Sequence, residues 1–224
     1  MTLTLTRFEK RWGWVYLLLQ MLVLPFVVGL AMALAGVYSD AAANILCFFL
    51  NAALAILFFR RLLVRSFCNA ARNWKATVLT ALKGFGLYWA INIAVTYLIL
   101  MLRPDFGNVN DANISTMIDE YPLLMSAAVI FAAPLAEECL FRGWIFTGLA
   151  RRSIPLAYAV TCGFFAAAHV VGYIGSFDTL TLLLCFAQYV GPGIALCWTC
   201  RKADSLVAPL LMHMTINAIA CIIV

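Results

Sequence analysis

The chain of 224 residues is 65% hydrophobic and 11% charged, with a net charge of +5 and a mean hydropathy of +0.98. So few charged residues cannot cover a water-soluble domain of this length, and long apolar runs recur along nearly the whole chain, which leaves a polytopic membrane protein. The basic residues are spread over several segments, so the positive charge is no sign of nucleic-acid binding.

A hydrocarbon core of about 30 Å needs roughly 20 helical residues to cross it. Seven runs qualify, at about 14–37, 44–59, 76–102, 121–149, 154–174, 179–199 and 206–224. The first is long and is followed by others, so it reads as a retained span and not a cleaved signal peptide. Pro134 and Pro192 fall inside runs and are candidate kink points. Residues 60–75, "RRLLVRSFCNAARNWK", have the look of an interfacial amphipathic segment and, more simply, of a solvated loop beside anionic lipid. Residues 103–120 are polar and read as an irregular loop, whose Asn113-Ile114-Ser115 sequon is taken as a chance match. The expected fold class is all-α, a polytopic membrane bundle of seven helices around a polar intramembrane cavity. The chain reads as one integral membrane domain, 1–224, with N-terminal spans in 1–120 and the chemistry in 121–224.

Charge orients this topology. With the N-terminus in the cytoplasm, the inner segments carry Arg7, Lys10 and Arg11; Arg60, Arg61, Arg65, Arg72 and Lys75; Arg142, Arg151 and Arg152; and Arg201 and Lys202. The outer segments carry Arg103 alone among the cations, beside Asp40, Asp105, Asp111, Asp119, Glu120 and Asp178. That asymmetry is the positive-inside pattern. The eight cysteines fall mostly in spans, where cysteine acts as a small apolar residue, and the lone pair Cys197/Cys200 is weak evidence for metal or redox chemistry.

The span at 121–149 contains "LAEECLFRGWIF", with three charges in an apolar setting. A charge at the centre of a membrane helix costs about 2.5–3.5 kcal/mol on insertion scales. Glu138 and Arg142 stand four apart with the acid first, the favoured order for an ion pair on one helical face. Glu137 has no such partner on its own helix. Both histidines of the chain also lie in spans. Phe165 precedes His169 by four, and Asn217 follows His213 by four. Counted from the inner ends at 1.5 Å per residue, Glu137 lies about 18 Å deep, His169 about 22 Å and His213 about 13 Å, one middle layer of the membrane.

E-E-x-x-x-R at 137–142, F-x-x-x-H at 165–169 and H-x-x-x-N at 213–217 follow one another on successive helices. In this the chain resembles the CAAX protease and bacteriocin-processing family of intramembrane proteases, also called the Abi family. The likeness covers about residues 121–224. It implies a helical bundle around a polar cavity, of eight spans in many members, and endopeptidase activity on a membrane-associated or C-terminal peptide. Carried over residue by residue, it implies that Glu137 is the base for a water held by His169, and that His213 and Asn217 stabilise the oxyanion. Glu138, Arg142 and Phe165 would support the site. A buried carboxylate suits general-base and then general-acid work, and an imidazole with a carboxamide makes an oxyanion site.

Glu137, His169 and His213 also amount to the two histidines and one carboxylate of a catalytic zinc site. The sequence has no H-E-x-x-H and shows no evident second carboxylate for either histidine. The expectation is therefore metal-free hydrolysis without a cofactor, with zinc as the alternative. The expected partners are a membrane-associated peptide or protein substrate and the lipid bilayer, and the expected place is a bacterial cytoplasmic membrane. Two other readings stay open: a non-catalytic membrane regulator or scaffold of the same family, and a proton-coupled transporter, since intramembrane Glu and His also serve proton relays.

Overall fold

A computed structural model describes residues 3–223 of the chain; the last residue of the seventh expected span lies outside them. Among the described residues, six helices are long and apolar enough to cross a membrane. These are α1 (Arg7–Leu34), α2 (Asp40–Arg72), α3 (Trp74–Leu102), α5 (Pro122–Ala150), α6 (Ile154–Ala168, extended as a span to Tyr173) and α7 (Thr179–Ala203). A shorter apolar helix, α8 (Val207–Ile223), fills the seventh place. Helix α4 (Val109–Glu120) is polar and lies between α3 and α5. The chain is an all-α integral membrane bundle.

Two expected loops are helical. Residues 60–72 continue α2 because Leu62, Leu63, Ser66 and Ala70 form a buried stripe at helical spacing, while Arg60, Arg61 and Arg65 face outward. Ser66 then takes hydrogen bonds from the 205–206 turn, on its carbonyl from Ser205 and on its hydroxyl from the Leu206 N–H. Residues 109–120 form α4 because the side chain of Asn108 caps the N–H groups of Asn110 and Asp111. Val109 and Met117 are buried beneath it.

Prolines leave wide turns in two spans. Pro25 follows a π turn at Leu19–Val23, and Pro134 follows one at Ala128–Ala132. A proline has no N–H and crowds the carbonyl four residues back, and a wide turn relieves both. At Pro192, the other expected kink, α7 runs unbroken. The sharp break in α2 is at Phe59, where φ is −111° and ψ 21°. Just past it, the Leu62 N–H donates to Glu9 Oε1 at 2.7 Å. The other oxygen of Glu9 accepts from the Thr6 N–H at 2.7 Å, closing a capping box at the start of α1. Glu9 is 2% exposed, so one buried carboxylate joins α1 to the kink.

Helix α7 packs along α3 and α6, and α8 packs against α3, α5 and α7. Small residues allow the approach. A Cβ on Gly84 of α3 would run into Thr199 of α7, and one on Gly13 of α1 into the ring of Trp144 of α5. At the far end of α7, Asp178 caps the helix through Thr181 and meets Arg103 at 3.2 Å. Its hydrogen bonds to Thr181 and then to Arg103 hold its carboxyl down at about 2.

Replacing Glu9 with Ala leaves the Thr6 and Leu62 N–H groups without acceptors. The expected loss is about 1–3 kcal/mol of stability, seen as a lower unfolding midpoint in detergent; an unchanged midpoint would show that Glu9 does not fasten α1 to α2.

Candidate active site

The site begins with the wide turn ahead of Pro134. The Ala133 N–H is bonded to the Ala128 carbonyl, and Pro134 has no N–H to offer. The Val129 carbonyl is thereby left without a partner in its own helix. It accepts from Asn217 Nδ2 at 2.8 Å. A carboxamide carries two N–H bonds, so Asn217 is anchored by one and keeps the other. This ties α8 to α5 about two turns ahead of Glu137.

The next link is Glu138. Its Oε1 accepts from Arg142 Nη1 at 3.0 Å, the ion pair expected from the spacing. The same oxygen lies 2.9 Å from His213 Nδ1. Glu138 is 1% exposed and Arg142 is fully buried, with its guanidinium 4.4 Å over the ring of Phe165. Glu138 is thus a second carboxylate for His213, which the sequence does not show. Arg142, expected both as support of the site and among the inner-segment cations, is buried within α5 and does not belong with those exposed charges.

A carboxylate only accepts, so His213 Nδ1 carries the hydrogen and Nε2 faces the other way. Nε2 lies 3.8 Å from Glu137 Oε2, beyond hydrogen-bond range. That oxygen of Glu137 has no hydrogen-bond partner among the described residues. Across from it, His169 Nδ1 donates to the Phe165 carbonyl at 2.7 Å, so its Nε2 is also the free nitrogen. The His169 ring stacks on Tyr189, centroids 4.1 Å apart, and packs on Phe165 at 4.6 Å. Phe165 also meets the His213 ring at 6.2 Å. Glu137, Phe165, His169, His213 and Asn217 all line one cavity of about 700 Å³. The structure thus brings together the residues singled out in the sequence, from α5, α6 and α8.

Tyr189 was not singled out. Its hydroxyl donates to Asp111 at 2.6 Å and accepts from Asn110 Nδ2 at 2.9 Å, so α4 positions the ring that backs His169. No sequence spacing signals this, because the contact joins residues almost 80 apart. Cys139 is buried in the main core. Cys197 and Cys200 are free and buried. Among the described residues no three His, Cys, Asp or Glu side chains converge as a metal-binding group.

Residues 119–219 match the Rce1-like family, described as type II CAAX prenyl endopeptidase Rce1-like. The UPF0177 protein YxdF of Lactococcus lactis subsp. lactis (strain IL1403) is 23% identical over 155 residues, 66% of this chain and 78% of that protein. No solved structure matches. The matched segment contains all three motifs. Over this segment the chain is similar to the CAAX proteases, and a membrane protease is the kind of enzyme the match supports.

Arg142→Met leaves Glu138 buried with only His213 beside it. Breaking one side of a buried pair costs about 3–5 kcal/mol, so the variant is expected to unfold well below the wild-type temperature in detergent. Equal midpoints would mean that the pair does not carry the fold.

Proposed function

We propose that the chain is a glutamate-dependent intramembrane endopeptidase, with Glu137, His169, His213 and Asn217 as its catalytic residues. The observation that carries the reading is the convergence of these four side chains on one cavity, within the segment that matches the protease family. Glu137 offers an unpartnered carboxylate oxygen, and His169 a free Nε2. Together they suit a water held between acceptor groups. Glu137 takes the proton as the water oxygen attacks the scissile carbonyl carbon, and the carbonyl oxygen becomes an oxyanion. The second N–H of Asn217 and a proton on His213 Nε2 are the donors for that oxyanion. Glu137 then passes its proton to the amide nitrogen, the C–N bond breaks, and a carboxylic acid and an amine are released.

Glu138 serves this chemistry through His213. With Glu137 and Glu138 as carboxylates and Arg142 as a cation, a proton on His213 brings the cluster to zero net charge. The carboxylate on Nδ1 also fixes which nitrogen meets the substrate. Glu138, Arg142 and Phe165 are positioning residues. The placement of basic residues supports an N-terminus in the cytoplasm, and the likeness to a Lactococcus protein supports a bacterial cytoplasmic membrane as the site of action. The substrate class is a membrane-associated peptide or protein tail.

Membrane-protein termini of host cells carrying the wild-type chain, compared by mass spectrometry with cells carrying Glu137→Gln at equal level, test the reading. One or more termini should vanish with the substitution. An unchanged set of termini, with the deletion phenotype rescued by Glu137→Gln as well as by the wild type, would make the chain a regulator or scaffold. On a substrate found this way, Asn217→Ala should lower kcat by about 10²–10³-fold with a smaller change in KM, as for loss of an oxyanion donor; a pure KM effect would contradict that role.

A further inference from the structure

Helix α2 is longer than a membrane crossing. Counted from its start at Asp40, residues 40–59 cover about 30 Å at 1.5 Å per residue, the thickness of a hydrocarbon core. The kink at Phe59 therefore falls at the bilayer boundary on the side of the basic segments, and residues 60–72 lie beyond it. The inner face of this stretch is fastened to the bundle. Besides the bonds of Ser66 to the 205–206 turn, Asn69 Nδ2 donates to the Asp204 carbonyl at 3.0 Å. The outer face is thus held in a fixed position, and it has two stripes. At 100° per residue, Val64, Phe67 and Ala71 fall within about 60° of one another, and Arg61, Arg65 and Arg72 within about 40° on the adjoining side. Arg60 stands at the bilayer end. All of these side chains are exposed.

Arg60, Arg61, Val64 and Arg65 line a shallow recess of about 400 Å³. Arg65 Nη1 donates to the Thr4 carbonyl at 3.0 Å, which steadies its guanidinium and leaves its other N–H bonds available. None of the three arginines has an ion pair among the described residues. Glu9, the carboxylate that reaches Leu62, is 2% exposed, and both its oxygens are taken by backbone N–H groups. Like charges four apart on a helix repel, and Arg61 and Arg65 have no acid to offset that repulsion. An anion from outside the chain offsets it. The setting selects which anion. Phe8 and Trp12 of α1 are exposed, with ring centroids 6.1 Å apart, and Phe8 packs 6.4 Å from Phe58, next to the kink. Tryptophan gathers at the membrane–water interface, so the arginines stand at headgroup depth with the apolar Val64 and Phe67 beside them. A guanidinium matches a phosphate through two parallel N–H bonds.

We propose that Arg60, Arg61 and Arg65 hold the phosphate of an anionic phospholipid, with Val64 and Phe67 against its acyl chains. The site is outside the catalytic cavity and independent of the peptidase reading. It also differs from the general excess of positive charge on this side, because it joins three arginines and an apolar stripe in one recess on a helix that is fastened from behind.

The test is native mass spectrometry of the full chain in neutral detergent, with equal amounts of phosphatidylglycerol and phosphatidylcholine of the same acyl chains. The wild type should retain phosphatidylglycerol in preference. Arg60→Gln/Arg61→Gln keeps the bond of Arg65 to Thr4 and breaks no hydrogen bond among the described residues. It should weaken phosphatidylglycerol binding about thirty-fold, as for two cations lost beside an anionic headgroup. Arg151→Gln/Arg152→Gln removes two exposed cations elsewhere on the basic side and should leave binding close to the wild-type value. Equal retention of the two lipids by the wild type, or unchanged phosphatidylglycerol binding by Arg60→Gln/Arg61→Gln, overturns the proposal. So does an equal loss in both variants, which would make the attraction one of diffuse surface charge. Displacement of the lipid by inorganic phosphate would make this a site for free phosphate and overturn the lipid as its ligand. None of these readouts requires hydrolysis.

Discussion

A single carboxylate oxygen, Glu138 Oε1, binds both Arg142 and His213, at 3.0 and 2.9 Å. Three ionisable groups in a membrane bundle would each be costly alone. Gathered on one oxygen they neutralise one another and fix the relative position of α5 and α8. The guanidinium in turn sits on Phe165, which contacts both imidazoles. The buried pair is thus the frame that sets where His213 points and how α6 closes against it. Glu137, the neighbour without a fixed partner, inherits a defined place from this frame and keeps an oxygen for chemistry.

A second device works from the backbone. Pro134 deprives the Val129 carbonyl of its helix partner, and Asn217 fills the place. A residue that merely cannot donate a hydrogen bond thereby positions the side chain proposed as an oxyanion donor. The two devices lie within ten residues of each other on α5 and reach α8 through the faces presented by His213 and Asn217. The i, i+4 spacing of these two residues puts both on the same side of α8.

Much of this was legible in the sequence, because membrane helices have few polar residues and each one must be accounted for. The spans, the Glu138–Arg142 pair and the pairing of Phe165 with His169 follow from hydropathy and from a period of 3.6 residues. Residues 60–72 have an amphipathic look but pass more simply for a loop, and 109–120 pass for a loop altogether, because both stretches are polar; the inward-facing stripes, at Leu62, Leu63, Ser66 and Ala70 and at Val109, Ile114 and Met117, are narrow. The kink at Phe59 has no proline to announce it. The Glu138–His213 and Tyr189–His169 contacts join helices distant in sequence, so only the packing of the bundle reveals them.

The central claim is that water, activated at Glu137, cuts a peptide bond. It is tested most directly by incubating purified wild-type and Glu137→Gln protein with a proteome-derived peptide library in water enriched in oxygen-18. The account predicts new C-termini that carry the heavy oxygen with the wild-type chain and none with the variant. No new termini with the wild type, or the same labelled termini with Glu137→Gln, would contradict it.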